Sequence, residues 1–382
     1  MVDQEPTNRG AWLSAFNTPL EIVDLPIPKA TSGSAVVQIL ATRVVPYLGR
    51  IHRGEVKPTN LMLPLIPNAN CVGRVIMDGP DAVLIKLGDI VWCESTIHGR
   101  DDPSVQIVQG HLGGEGDRGR KLMQGEWRDG SFQRYQKVPL ESCNLLDTDH
   151  LKQLGYTLPE LTCLPLYIIA AGAIIEVAQV KTGDVLVMGP ATGSFGSVAV
   201  QLALLAGASV IALGRRQDTQ NELKELLDNP DNLQTLVMTG DKEADAAAIC
   251  KLTPGQLGCD IYNDWTPGWL ETSPYLSTSL KVLKNHGRVI LSGAAYGEVR
   301  VPYAESIHLN RSFIVRWTAS REIIERVLSM LHQGTLKIGK SVGAQVATFP
   351  LELVEDGKEW AEKHGGFKKY AIILPRCPVQ SR

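Results

Sequence analysis

The sequence lacks any arrangement of cysteines that would staple it. Its seven cysteines, Cys71, Cys93, Cys143, Cys163, Cys250, Cys259 and Cys377, are odd in number, and neither a CxxC pair nor a Cys/His cluster occurs. A disulfide framework and a structural zinc site are therefore not expected. Charge of one sign is lacking too. Lys and Arg number 38 against 41 Asp and Glu, a formal net charge of −3, and the basic residues are scattered. That argues against a nucleic-acid or anionic-membrane partner. No apolar run reaches the length of a bilayer span. The longest, Leu161 to Ile175, is interrupted by Thr162, Pro165 and Gly172 and reads as a buried helix. The opening MVDQEPTNRG lacks a signal peptide's charged-then-apolar layout, so a cytoplasmic setting with reduced thiols is expected. The densest polar stretch, Gly113 to Lys121 (GGEGDRGRK), carries both signs and reads as a solvated loop.

What is present is length and apolar content. The 382 residues, 44% hydrophobic and 21% charged, suffice for two domains whose cores need no covalent or metal support. The first third is β-rich. Short alternating runs (Leu20 to Leu25, Ala35 to Leu40, Cys71 to Met77, Asp89 to Cys93) are punctuated by Gly, Pro and Asp, as in a small barrel or sandwich. The middle third alternates. Val185 to Met188, Val210 to Leu213, Gln234 to Met238, Cys259 to Asn263 and Gly287 to Ser292 read as strands. Ser197 to Ala206, Glu222 to Leu227 and Asp241 to Leu252 read as helices between them. That alternation predicts a doubly wound parallel α/β sheet. A helix over Arg321 to Gln333 and a strand over Tyr370 to Leu374 follow.

The strongest local signal is KTGDVLVMGPATGSFGSVAVQLALLAGA, from Lys181 to Ala208: strand, tight turn, helix. Gly193 and Gly196 take the second and third places of a dinucleotide fingerprint, and Ala191 takes the first. The middle glycine admits a pyrophosphate close to the backbone, and the third lets helix and strand pack tightly. Thr192, Ser194 and Phe195 complete the turn, and the helix start near Ser194 aims free N–H groups at an anion. A merely structural tight turn is the rival reading. NAD sites place an acidic residue after the second strand. Here Gly214, Arg215 and Arg216 follow instead. Two guanidinium forks suit a 2′-phosphate, which points to NADPH. The alternative is that both arginines are solvated surface residues.

With those residues in view, the chain resembles the medium-chain dehydrogenase/reductases over nearly its full length, in their quinone-oxidoreductase-like and enoyl-reductase-like branches. PLEIVDLPIPKATSGSAVVQILATRVVPY is similar to the family's opening strands, LGDIVWC (87 to 93) to its "GDrV" strand, and GSFQRYQKVP (130 to 139) to its "GgfaeY…vp" segment. GRVILSGA (287 to 294) is similar to its "Grvv.vG" strand, with Gly293 near the nicotinamide. The resemblance implies a GroES-like β-barrel catalytic domain over residues 1–162 and 313–382, wrapped around a Rossmann domain over 163–312. It implies a cleft between them for substrate and nicotinamide. It also implies a homodimer through the sheet edge, for which Ser312 to Thr318 (SFIVRWT) is the β-prone candidate.

The departures from the family bear on mechanism. The places of its catalytic zinc ligands hold Val45, Ala69 and Leu166, none of which can ligate a metal, and Cys163 lies near the third without partners. The four-cysteine structural lobe is replaced by the cysteine-free Ser95 to Gly125. No zinc is therefore expected. The family's proton relay starts at the place of Tyr47 and continues at Arg50. A phenol there can donate a proton, and a neighbouring arginine would lower its pKa. Equally, Tyr47 reads as a half-buried packing aromatic. Val45 and Leu48 stand where many quinone oxidoreductases have Asn and Asp. His52 is expected at the surface, Asn70 is a weaker candidate for substrate contact, and Trp92, Trp127 and Trp265 read as core, with the lining of an apolar pocket as the alternative. The resulting expectation is an NADPH-dependent, zinc-free reductase of a conjugated C=C or a ketone in a small apolar molecule. The alternative is a cofactor-binding protein of the same fold without redox turnover.

Overall fold

The computed structural model describes residues 7–56, 60–366 and 369–376, so Cys377 and the first six residues lie outside it. The chain forms two compact units. One comprises Met1–Pro165 with Ile338–Arg382, and the other Leu166–Lys337.

In chain order the first unit opens with β1 (Asn8–Trp12), β2 (Glu21–Leu25), β3 (Ser34–Arg43), β4 (Cys71–Asp78), β5 (Ile90–Cys93), β6 (Thr96–His98), β7 (Gln106–Val108), β8 (Tyr135–Pro139) and β9 (Cys143–Leu145). The second unit holds β10 (Val185–Gly189), β11 (Ser209–Gly214), β12 (Leu233–Val237), β13 (Cys259–Asp264), β14 (Leu283–Leu291) and β15 (Ser312–Val315). The chain then returns to the first unit with β16 (Gln345–Pro350) and β17 (Lys369–Leu374).

The first unit is built on a seven-stranded mixed sheet in the order β16-β17-β3-β4-β5-β9, with β8 paired to β3. The long strand β3 is buried almost throughout, because β4, β8 and β17 all pair with it. Its end at Arg43 lies opposite Ile372 of β17, and this register fixes the start of the candidate site.

The second unit is a six-stranded sheet in the order β12-β11-β10-β13-β14-β15, with every pairing parallel. Strands β10 (VLVMG) and β11 (SVIALG) are apolar at successive positions, as required of strands covered on both faces. Helices such as Ser194–Leu205, Gln217–Leu226 and Lys242–Leu252 connect them. The last starts at Asp241, whose carboxylate accepts from the backbone N–H of Glu243 and Ala244 at 3.0 Å each. This is the Rossmann order, and ligands bind such sheets beyond the carboxyl ends of the strands where the order reverses, here between β10 and β13.

Three sequence expectations are altered. The second unit continues to Lys337 instead of ending at 312. Strand β15 pairs with β14, Glu176 accepts from Arg316 and from the Ser320 backbone N–H, and the helix Arg321–His332 buries Ile323, Val327 and Leu331. Part of the Gly113 to Lys121 stretch is helical, as the start of Gly116–Gly125. Only Gly119 and Met123 of that helix are buried, too sparse a pattern to read from sequence. The apolar run around Leu161 to Ile175 belongs to a helical stretch, Leu158–Val177, that at 20 residues is long and apolar enough to cross a membrane. Its apolar window is 78% buried inside the protein, as a core helix is.

Candidate functional site

In the second unit, the sequence-predicted nucleotide residues gather at the carboxyl ends of β10, β11 and β14. Gly193 caps the helix Ser194–Leu205 in extended conformation, and no side chain bonds the first-turn amides. Those N–H groups stay open at the positive end of a 12-residue helix. The two glycines have different physical reasons. A Cβ on Gly196 would stand 2.1 Å from the Pro190 carbonyl oxygen, so no larger residue fits between helix and turn. A Cβ on exposed Gly193 would meet nothing within 4 Å, so its bareness leaves room for something outside the chain. Ala191 is buried and donates its N–H to the Leu213 carbonyl at 2.9 Å, which ties the turn to β11. Thr192 and Ser194 are partly exposed, and Phe195 stacks on Trp265 with centroids 5.7 Å apart.

Gly214 ends β11 with little space above it, since a Cβ would come within 2.5 Å of the Gln220 amide nitrogen. That amide is bonded to the carbonyls of Ala212 and Leu236, so an acidic side chain at 214 is blocked by packing. Arg215 and Arg216 are both exposed but differ in their partners. Arg216 forks onto Asp218 through Nε–Oδ1 at 3.0 Å and Nη2–Oδ2 at 2.9 Å, whereas Arg215 makes no ion pair with a described residue. Gly293 is exposed beyond β14. A Cβ there would press within 2.4 Å of the Thr266 carbonyl, so the chain must run bare past the end of β13.

Sequence reasoning passed over the end of β13. Buried Asp264 accepts from the Tyr262 hydroxyl at 2.6 Å, from the Thr266 N–H at 2.9 Å and from Ser273. It acts as a rivet beneath the loops on this edge. A polar pair closing the apolar strand CDIYND was the available signal. Trp265 also belongs here, with Nε1 donating to Asn263 at 2.6 Å. Trp92 and Trp127 are core residues of the first unit.

In the first unit, Tyr47 precedes the short helix Leu48–His52 and is half-buried, its ring tilted against His111 with centroids 6.1 Å apart. Burial raises the Tyr47 pKa above the ordinary phenol value, and Arg43 opposes this only in part. This corrects the sequence expectation twice. The hydroxyl is made less acidic, and the arginine acting on it is Arg43. Arg50 points its guanidinium to Glu362, at 3.9 Å. His52 is also misplaced by the sequence reading. It is 2% exposed, because the helix turns Leu48, Ile51 and His52 inward together. Neither of its ring nitrogens has a partner among the described residues. Burial, with help from Lys358, His111 and Arg53, lowers its pKa to about 3, so it is neutral. Burial first and Arg43 second lower His111 to about 4.

Asn70 is engaged within the protein, accepting from the Ser95 N–H at 3.0 Å. Val45, Ala69 and Leu166 present only apolar atoms, Ala69 and Leu166 being buried. Burial first, aided by Glu160, pushes the Cys163 thiol up to about 12, with Arg43 opposing in part. Among the described residues no group of three or more His, Cys, Asp or Glu could hold a metal ion, and the six described cysteines are free thiols.

The chain matches no protein-family model. It is similar to the dehydrogenase orsE of Emericella nidulans, 27% identical over 227 residues that cover 54% of this chain and 57% of that relative. An alcohol dehydrogenase of Geobacillus stearothermophilus is 24% identical over 91% of this chain and 94% of its own length. Among solved structures, an NAD-dependent alcohol dehydrogenase superposes with a TM-score of 0.74 at 22% identity, covering 96% of this chain and 99% of its own. A thermostable alcohol dehydrogenase of Pyrobaculum aerophilum, bound to cobalt and zinc, gives 0.70 at 21%, covering 97% and 100%. A Sinorhizobium meliloti 1021 protein bound to NADP gives 0.74 at 16%, also covering 97% and 100%. The chain therefore has the fold of the alcohol-dehydrogenase-like medium-chain dehydrogenase/reductases, a Rossmann unit with a GroES-like catalytic unit.

Proposed function

We propose that the protein is an NADPH-dependent, zinc-independent reductase of a conjugated C=C or ketone in a small, mostly apolar organic molecule. Relatives named as dehydrogenases support the oxidoreductase class. The observation that carries the cofactor reading is the open helix start at Gly193, at the same carboxyl edge of the sheet as Arg215, which has no ion pair among the described residues, and the bare chain at Gly293. The open N–H groups of Ser194 and Phe195 suit a pyrophosphate, and Gly293 leaves space for a flat ring. The nicotinamide supplies the reducing equivalent when bound. The chain's own part is to orient it and to deliver a proton, for which Tyr47 is the candidate because its phenol is kept protonated by burial. Steady oxidation of NADPH on addition of a simple enone tests the reading. Tight NADPH binding with no turnover of any enone or ketone would favour a cofactor-binding protein without redox chemistry.

Zinc independence rests on Val45, Ala69 and Leu166, which leave no donor atoms at the places of the family's ligands. Purified protein should contain no stoichiometric zinc, and a chelator should leave turnover unchanged. One zinc per chain by elemental analysis would refute this.

A homodimer is also proposed, paired along β15. This strand is the sheet's edge, and Val315 at its end and Trp317 just beyond are 75% and 47% exposed. An apolar edge with free backbone groups needs a cover. Light scattering at working concentration should give twice the chain mass of 41.6 kDa, and a monomer would exclude the pairing.

A further inference from the structure

Arg43 is the last residue of β3, and two strands fix it. It lies opposite Ile372 of β17, and the next N–H, of Val44, bonds to the Ala371 carbonyl at 2.8 Å. Directly opposed residues share a face, as do residues two apart, so Arg43 and Tyr370 lie on the same side of the sheet. The guanidinium accordingly sits over the Tyr370 ring, 5.9 Å from its centroid. Arg43 is only 7% exposed, yet its guanidinium has no hydrogen bond or ion pair with a described residue. The titratable side chains on which its charge acts are neutral. Tyr47, His111 and Cys163 all feel its charge, and burial holds each in its uncharged form. The carboxylate acting on Cys163, Glu160, is already occupied. It accepts from Thr157 N–H at 2.9 Å, from the Thr157 hydroxyl at 2.5 Å and from Lys340 N–H at 2.7 Å.

The stem is buried, but the guanidinium nitrogens are not among the fully enclosed polar atoms without a partner, so they keep an opening through which an anion from outside the chain can reach them, and a half-desolvated cation gains most from such a partner. We propose that Arg43 is the anchor for a carboxylate carried by the substrate, so that this unit takes a small unsaturated or keto acid. The proposal rests on the reading that the first unit holds the reducible substrate, and it adds the polar end of that molecule. The planar fork of the guanidinium donates to both carboxylate oxygens, and the Tyr370 ring beneath holds the fork flat. A fixed carboxylate fits better than a transient oxyanion, because the cation must be compensated throughout the bound state. Tyr47 and His111, which share Arg43's field, then lie beside the rest of the molecule.

Calorimetric titration of the cofactor-free protein with crotonate and its neutral isostere crotonamide tests this without any turnover. Wild type should bind the acid about ten- to a hundred-fold more tightly than the amide, the worth of one charged hydrogen-bonded contact. Arg43→Gln should erase that preference, and Arg43→Lys should keep part of it, having charge without the fork. NADPH affinity in both variants reports that the second unit remains folded. Equal affinity for acid and amide, no measurable binding of the acid, or an unchanged preference in Arg43→Gln would overturn the proposal. So would a result in which inorganic pyrophosphate, and not crotonate, loses affinity in Arg43→Gln, since the guanidinium would then serve the cofactor's phosphates. A fall in turnover of neutral enones without any preference for the acid would assign Arg43 to a developing oxyanion, and would likewise exclude the carboxylate anchor. Acid binding without NADPH oxidation would leave the anchor standing and remove the reductase reading.

Discussion

Replacement of Tyr47 by phenylalanine should lower turnover by about two to four orders of magnitude while NADPH affinity stays unchanged. The ring remains, so its contact with His111 is kept and the effect isolates the hydroxyl. Reduction of a C=C or C=O leaves a carbanion or alkoxide that needs one proton. His111, whose ring packs against Tyr47, is held neutral, while the phenol keeps its proton and can donate it. The structure adds a pH signature. Burial raises the Tyr47 pKa, so its protonated form persists beyond the usual phenol value of about 10. The rate should therefore show no alkaline limb from Tyr47 below that pH. An arginine that lowered the pKa, the role expected of Arg50, would have produced one. Unchanged turnover in Tyr47→Phe would give the proton to water and leave Tyr47 as packing.

Cofactor choice should depend on Arg215 more than on Arg216. Arg215→Ala should weaken NADPH binding by about ten- to a hundred-fold and leave NADH binding nearly unaltered, because only NADPH carries the 2′-phosphate. Arg216→Ala should do less, since that guanidinium is already forked onto Asp218 and must leave it to meet a phosphate. Asp218→Asn separates the two cases, for it frees Arg216 and removes a negative charge from the same edge, so NADPH should bind more tightly. Both effects should shrink as salt rises, because these side chains are exposed. Titration of wild type and the three variants with each cofactor measures this. Equal affinity of wild type for NADH and NADPH would reduce both arginines to surface charge.

Much of the second unit was legible in advance. Strands β10, β11, β12 and β13 fall within a few residues of their expected places, because short apolar runs alternate with longer helical ones and the central strands β10 and β11, covered on both faces, are almost wholly apolar. Gly196 was legible for the same reason, since its contact with the Pro190 carbonyl lies within one local turn. The first unit was harder. His52 was placed at the surface because one polar residue ending a five-residue helix gives no periodicity from which to judge its face. Arg43 is not legible either, because an arginine closing an apolar strand has the pattern of the strand's solvent end.

The sequence by itself determined the alternation of strands and helices, the glycines of the nucleotide turn and the absence of donor atoms at Val45, Ala69 and Leu166. All are local properties of backbone freedom, hydropathy and side-chain chemistry. Tertiary structure alone decided which charges are free. Arg215 and Arg216 are adjacent and chemically identical, yet only the latter is forked onto Asp218. Arg43 has no ion-pair partner among the described residues because β17, more than three hundred residues along the chain, sets Tyr370 rather than a carboxylate beneath it. Pairings between distant segments depend on register and burial, and these exist only once the sheet has closed.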